Sequence, residues 1–99
     1  MSLESEFQSG LKKELEALFP GCIILKNDPN YMQGIPDLLV LWGNKWAALE
    51  AKRAFNSRRQ PNQPYYVQLM DEMSFAAFIN PENKEDVLRD LQHAFRPRR

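Results

Sequence analysis

The sequence contains little cysteine, no long hydrophobic run and no net charge. Its one cysteine, Cys22, cannot form an intramolecular disulfide, and its apolar neighbours indicate a buried side chain rather than a catalytic thiol. The apolar runs are strand-length, which excludes a transmembrane helix and gives no sign of a signal peptide. Repeats, low-complexity segments and internal linkers are also missing. We therefore expect an intracellular, cytoplasmic protein with no membrane partner.

The composition is that of a folded chain. Hydrophobic residues make up 43% of the 99 residues and charged residues 26%, a balance that disordered chains do not have. A chain of this length can bury a core without disulfides or structural metals. The sequence predicts one domain over residues 1–99.

The zero net charge hides an uneven distribution. Residues 1–50 carry four basic and seven acidic side chains, whereas residues 51–99 carry nine and six. The basic excess clusters at Lys52, Arg53, Arg58 and Arg59 and again at Arg96, Arg98 and Arg99. Such runs are usually solvated surface. The alternative explanation is that these basic residues bind a polyanion such as nucleic acid, and other features of the sequence are needed to choose between the two.

Hydrophobic periodicity and turn residues predict seven elements. Leu3, Phe7, Leu11, Leu15 and Leu18 recur at helical spacing, and Pro20-Gly21 ends that helix. Apolar runs predict strands, and Gly43-Asn44 is a two-residue hairpin signal. The predicted helices cover residues 3–18, 61 or 62 to 72, and 81–95, and Asn80 is the predicted N-cap of the last helix. The predicted strands cover residues 22–25, 38–42, 45–52 and 74–79. We expect Tyr65, Tyr66, Met70 and Phe75 in the core.

This α-β-β-β-α-β-α order predicts an α/β fold with one mixed sheet flanked by helices. If Gly43 and Asn44 form the turn, Asp37 lies directly opposite Glu50 across the hairpin. Opposed like charges are destabilising. A divalent cation between the two carboxylates would remove the conflict, and oxygen ligands favour Mg²⁺ or Mn²⁺ over Zn²⁺.

The alternation of a strand places Lys52 on the same face as Glu50. Its ammonium group could then hold an attacking hydroxide or stabilise developing negative charge. Each short motif also has an ordinary explanation. An Asp after Pro36 can be a turn residue, and a Glu-x-Lys strand end can be solvated.

The series of motifs resembles the PD-(D/E)XK nuclease superfamily, and within it the VRR-NUC (virus-type replication-repair nuclease) group. The residues that carry the resemblance are Glu4-Ser5-Glu6-Phe7-Gln8, Gly34-Ile35-Pro36-Asp37, Glu50-Ala51-Lys52 and Gln63. The α-β-β-β-α-β order is similar to the core of that superfamily. Small phage-encoded members are similar over nearly the whole chain, which would place the protein in the host-cell cytoplasm.

The resemblance implies a phosphodiesterase that uses Mg²⁺ or Mn²⁺ and acts on DNA. Asp37, Glu50 and the backbone carbonyl of Ala51 would hold the metal, and Lys52 would be catalytic. Gln63 is a further candidate catalytic residue, in contact with either the neighbourhood of Lys52 or the phosphate. Gln63 could equally be an ordinary polar residue at a helix start. Glu4 would complete the metal site, and Glu14 and Glu6 remain alternatives. Glu4 could instead simply stabilise the N-terminus of the helix, where a negative charge is favourable.

Lys26, Arg53, Arg58 and Arg59 are candidate phosphate contacts, with solvated loop charges as the alternative. Together these features predict a metal-dependent DNA endonuclease, with branched DNA such as a Holliday junction as a candidate substrate. A chain this small would act on a junction as a homodimer. The competing interpretation is a non-catalytic DNA-binding or assembly module that keeps the nuclease fold.

Overall fold

The structure is a computed structural model that describes residues 3–54, 57–58 and 61–96, with side chains from Ser5 onward. It contains three helices and one mixed four-stranded sheet, in the order that the sequence predicts. The helices are α1 (Leu3–Leu18), α2 (Gln63–Met73) and α3 (Lys84–Phe95), and the strands are β1 (Ile23–Lys26), β2 (Leu38–Trp42), β3 (Lys45–Ala51) and β4 (Ala76–Ile79).

The four strands lie in the order β1-β2-β3-β4. The first two pairings are antiparallel, and β4 joins β3 in parallel. A parallel neighbour needs a crossover connection, and α2 supplies it between β3 and β4. The strand that carries Glu50 is therefore held on both sides by ladder hydrogen bonds.

The predicted hairpin register is confirmed. Trp42 pairs with Lys45, and the pairing continues to Leu38 and Leu49. Gly43 has the positive φ of 62° that such a tight turn requires. The ladder ends one position short of the prediction, because β2 begins at Leu38 and Asp37 precedes it.

Helices cover both faces of the sheet. The larger core lies on one face, where Leu11 and Leu15 of α1 and Leu91 of α3 are almost completely buried. The helix α2 covers the other face through a small cluster of Ala48, Val67 and Ala76. Because side chains alternate along β3, this second face is also the one toward which Glu50 and Lys52 point.

Several predicted boundaries are shifted. The last helix begins at Lys84 with Asn83 as its N-cap, whereas the sequence predicts Asn80 in that position. The Asn80 side chain instead accepts hydrogen bonds from the backbone N–H groups of Glu82 and Asn83, at 2.8 and 2.9 Å. These bonds stabilise a separate turn before the helix, so the proline at 81 lies outside it.

The strand β4 begins at Ala76 rather than at Ser74. Ser74 closes α2, since its backbone N–H donates to the carbonyl of Met70 at 3.0 Å. The Asp71 carboxylate then accepts from the N–H of Ala76 at 3.0 Å, which fixes where the strand starts. The strand β1 covers Ile23–Lys26, one residue later than predicted.

The prediction that Tyr65 belongs to the core is wrong, because 62% of this residue is exposed. Cys22 is half-buried against the main core. Its burial, and then the nearby charge of Glu16, raises the pKa of the Cys22 thiol. The group therefore stays protonated at neutral pH, as a packing residue would. None of the helices in the described residues is long and apolar enough to cross a bilayer.

Candidate metal and nucleic-acid site

A cleft of about 600 Å³ opens where β2 begins and β3 ends. Four residues singled out from the sequence line it together: Lys26, Asp37, Glu50 and Gln63. They come from β1, the turn before β2, β3 and the start of α2. Residues far apart in sequence are therefore gathered at one end of the sheet, around two carboxylates.

Asp37 is held by hydrogen bonds from three directions. The Gln8 side-chain amide donates to Oδ2 of Asp37, and the backbone N–H of Ala51 donates to Oδ1 at 3.1 Å. The backbone carbonyl of Asp37 accepts from the N–H of Asn27 at 2.8 Å. Near the end of the ladder, the Asp37 carboxylate thus accepts from a β3 backbone N–H. That bond explains why regular pairing stops at Leu38.

Glu50 and Lys52 form a buried ion pair on β3 and just beyond its end. Glu50 is 4% exposed and Lys52 is 9% exposed. Their nearest charged atoms, Lys52 Nζ and Glu50 Oε2, are 3.7 Å apart. The ammonium group also donates to the backbone carbonyl of Arg58 at 3.2 Å. Burying charges is costly unless they are paired and hydrogen-bonded.

The backbone of Lys52 is fixed as well as its side chain. Its N–H donates to the carbonyl of Ile79 at 2.8 Å, which extends the contact with β4 beyond the end of β3. The hydrogen bond from Lys52 holds the backbone of Arg58 beside the ion pair. Arg53 and Arg58 remain exposed at the surface.

The segment between β1 and β2 forms one wall of the cleft. The Asn27 side-chain amide donates to the carbonyl of Pro36 at 2.7 Å, which ties together the two ends of this wall. Gly34 lies in the wall with φ of 89° and packs against the turn that precedes α2. A Cβ atom at Gly34 would lie 2.7 Å from the Cβ of Asn62.

We expect Gly34→Ala to destabilise the protein by more than its backbone strain alone. A non-glycine residue in this left-handed region costs about 1–3 kcal/mol. The clash with Asn62 adds to that cost. Gly21→Ala is the matched control, because Gly21 has φ of 86° and a Cβ atom added there would meet no other atom within 4 Å. Denaturant unfolding should show the larger loss for Gly34→Ala, and equal losses would contradict the packing.

The helix α1 contributes Gln8 to the cleft, not Glu6 or Glu14. Glu6 is exposed and does not line the cleft. Glu14 forms an ion pair with Lys84 of α3, with 2.8 Å between the charged atoms. The side chain of Glu4 and the whole of Arg59 lie outside the described residues. Position 4 is one helical turn before Gln8, on the same face of α1.

Two residues contribute to the site through contacts that the sequence does not predict. Gln8 belongs to the motif in α1, yet that motif does not indicate its bond to Asp37. Asn27 reads as a loop residue in the sequence, although it lines the cleft and holds Pro36 and Asp37. For Gln8, the available sequence signal is its position one helical turn after Glu4. For Asn27, it is the position of a side-chain amide directly after a predicted strand.

The donor atoms in the cleft suit a hard divalent cation. Two carboxylates are present, and Mg²⁺ is commonly held by one or two carboxylates together with water and substrate phosphate. Among the described residues, no group of three or more His, Cys, Asp or Glu side chains could hold a metal. A site of this kind would therefore complete its coordination from solvent and substrate.

Comparisons with known proteins add no relative to this description. No family model matches the sequence, no curated protein matches it, and no solved structure matches it. The function must therefore be argued from the geometry of the cleft.

Proposed function

We propose that the protein is a metal-dependent DNA endonuclease of the PD-(D/E)XK type, similar to the VRR-NUC group. One observation carries the proposal. Asp37 and Glu50 line the same cleft, and the ammonium group of Lys52 lies 3.7 Å from the carboxylate of Glu50. Two acids and a lysine in this order on a hairpin are the residues that the superfamily resemblance requires.

Asp37 and Glu50 would hold Mg²⁺ or Mn²⁺, with the backbone carbonyl of Ala51 as a further oxygen ligand. The ion would lower the pKa of a bound water and neutralise charge on a phosphoryl oxygen. The protein's own contribution is to fix the two carboxylates before substrate arrives. Gln8 and the N–H of Ala51 do this for Asp37, and burial at the end of β3 does it for Glu50.

Lys52 would act on the reacting groups. Its ammonium group is positioned by Glu50 and by the carbonyl of Arg58. Lys52 is only 9% exposed, and a fixed positive charge that is largely shielded from water stabilises nearby negative charge more strongly than it would in water. We assign to Lys52 the orientation of the attacking hydroxide and the stabilisation of charge that develops on the phosphate.

Gln63 and Glu4 complete the proposal. Gln63 is 7% exposed and lines the cleft at the start of α2, where its amide could bind the phosphate beside Lys52. Position 4 shares a face of α1 with Gln8, which contacts Asp37. That placement favours Glu4 over Glu14, whose carboxylate is paired with Lys84.

Basic residues near the cleft would bind the DNA backbone. Lys26 lines the cleft, whereas Arg53 and Arg58 are exposed on the loop that follows Lys52. Arg59 belongs to the same basic run. Since the chain has no net charge, this local excess is its means of attracting a polyanion.

We expect Arg53→Ala combined with Arg58→Ala to weaken DNA binding with little dependence on sequence. Each lost phosphate contact should reduce the log–log salt slope on duplex DNA by about 0.9. Affinity measured across a salt series gives this slope directly. The pair Arg89→Ala and Lys45→Ala, which do not line the cleft, serves as a control of equal charge. A slope unchanged by the loop variant would exclude the loop as a DNA contact.

We further propose that the protein acts on branched DNA as a homodimer. The strand β1 is one edge of the sheet, and its Ile23 and Leu25 are 57% and 46% exposed. An edge strand with exposed apolar side chains can pair with another strand. Pairing with a second copy would close symmetrically and bring two clefts to one branched substrate.

Cleavage of DNA by the purified protein tests the proposal. A synthetic four-way junction and a linear duplex of the same sequence are incubated with Mn²⁺, with Mg²⁺ and with a chelator. We expect strand cleavage that requires the metal and is lost in Glu50→Gln. DNA binding without cleavage under any of these conditions would favour the alternative, a non-catalytic DNA-binding or assembly module.

A further inference from the structure

Tyr31 is exposed to an unusual degree for an aromatic residue. Its exposed fraction is 90%, the highest among the large hydrophobic residues of the described chain. It lies in the wall between β1 and β2, and its neighbours Asn30 and Gln33 line the cleft that contains Asp37 and Glu50. An exposed aromatic side chain next to such a cleft is a candidate contact for a ligand.

A second pocket of about 250 Å³ lies beside this wall. Its apolar lining residues are Tyr31, Met32, Ile35, Leu39 and Met70. Asn27 and Ile35 line both this pocket and the cleft, so the two spaces share one wall. A ligand that enters the cleft could therefore place an apolar group in the second pocket.

Local hydrogen bonds order the wall that presents Tyr31. The N–H of Tyr31 donates to the carbonyl of Asp28 at 3.1 Å, and the N–H of Asn30 donates to the Asp28 carboxylate at 2.8 Å. The N–H of Ile35 donates to the carbonyl of Met32 at 3.3 Å. Because the backbone is held, the exposed ring can bind a flat ligand without first ordering the loop.

We propose that this second pocket binds an unpaired nucleobase of the DNA strand whose phosphate occupies the cleft. The inference rests on the proposed nuclease function, since it needs DNA in the cleft. The base would stack on the Tyr31 ring and cover the Met32 and Met70 side chains. Stacking on an aromatic ring is available to every base, so this pocket would select for an unpaired position and not for a sequence.

The residues that line the cleft and the second pocket fit these two roles, phosphate binding in the cleft and base binding in the second pocket. The cleft carries the two carboxylates, the cation Lys26 and several amides, which suit metal and phosphate. The second pocket is lined mainly by apolar side chains, together with Asn27 and Asp28. Apolar surface and the negative charge of Asp28 disfavour a phosphate there and favour a base. The amide of Asn27, on the shared wall, can bond the polar edge of a base. Selection for an unpaired base would give the enzyme a preference for forks and junctions over duplex DNA.

Forked DNA with a movable abasic residue tests the proposal. The abasic residue is placed in turn at each of the first unpaired positions on both arms, so that one base at a time is removed. Affinity is measured by fluorescence anisotropy with Ca²⁺ in place of Mg²⁺, and cleavage is followed separately with Mg²⁺. The proteins compared are the wild type, Tyr31→Ala, Tyr31→Phe and Tyr65→Ala, which removes another exposed tyrosine that does not line the pocket.

We expect the wild type to lose affinity at one abasic position, by about 5- to 150-fold. Tyr31→Ala should lose the same factor on intact DNA and nothing further on that abasic DNA, because the two changes remove one contact. Tyr31→Phe and Tyr65→Ala should behave as the wild type. Additive losses, or full affinity in Tyr31→Ala, would overturn this inference while leaving metal-dependent cleavage intact. A wild type that neither binds nor cleaves DNA would overturn the proposed function as well.

Discussion

Asp37→Asn is expected to abolish DNA cleavage and to leave the protein folded. The substitution removes one of the two negative charges that would hold the metal, and we expect the cleavage rate constant to fall by at least about a hundredfold. The fold should survive, because the asparagine oxygen can still accept the hydrogen bond from the N–H of Ala51. The Gln8 amide can turn to present its oxygen to the new amide group.

Single-turnover cleavage and thermal unfolding of the same Asp37→Asn sample measure the two effects. Asp90→Asn is the matched control, since it removes the same charge from an exposed residue of α3 that lines neither the cleft nor the second pocket. We expect that control to cleave DNA at nearly the wild-type rate. Full activity in Asp37→Asn would reject the metal site.

Lys52→Ala should lower the cleavage rate far more than the affinity for DNA. A group that acts mainly on the transition state changes the rate constant, whereas a group that only binds phosphate changes rate and affinity together. We expect a loss of about a hundred- to a thousandfold in the rate constant. Rapid-mixing kinetics with enzyme in excess separate this loss from the dissociation constant.

Lys52→Ala also removes the ion-pair partner of Glu50, a residue only 4% exposed. Breaking a buried ion pair by removing one partner costs about 3–5 kcal/mol of stability. Lys52→Arg is the control that separates the two consequences. It keeps the positive charge beside Glu50, so it should restore much of the stability, but its planar group cannot reproduce the position of the ammonium. A cleavage rate fully restored by Lys52→Arg would contradict the assigned role of Lys52.

The sequence predicts the central hairpin well because its determinants are local. Gly43-Asn44 sets the turn, and the turn sets the pairing from Trp42–Lys45 to Leu38–Leu49. Side-chain alternation then places Glu50 and Lys52 on one face, and their 3.7 Å separation agrees with that. The proximity of these two charged residues therefore follows from the alternation of side chains along one strand.

Contacts between distant segments could not be predicted in this way. Gln8 and Asp37 are 29 residues apart, and nothing in the helical periodicity indicates which side chain of α1 reaches the end of the sheet. The same limit applies to Asn27, whose role depends on where Pro36 lies in space. Both residues donate hydrogen bonds to groups that lie beyond the last strand pair. Gln8 donates to the carboxylate of Asp37, and Asn27 donates to the carbonyls of Pro36 and Asp37.

Two errors in the sequence prediction have identifiable physical causes. Asn80-Pro81 has the composition of a helix start, but Asn80 caps a turn and the helix begins after Asn83. The sequence favours the core for Tyr65 because it is aromatic and lies on a helix next to apolar residues. The small α2 cluster is built on Val67, and Tyr65 contacts Tyr66 at the surface with ring centroids 5.1 Å apart.

The position of a bound Mn²⁺ ion tests the central claim most directly. Crystals of the protein with DNA, grown in Mn²⁺, would be measured at a wavelength where manganese scatters anomalously. We predict an anomalous peak in the cleft, within about 2.0–2.3 Å of carboxylate oxygens from both Asp37 and Glu50. A DNA-bound cleft with no such peak, or a peak that only one of the two carboxylates contacts, would contradict the proposed metal site.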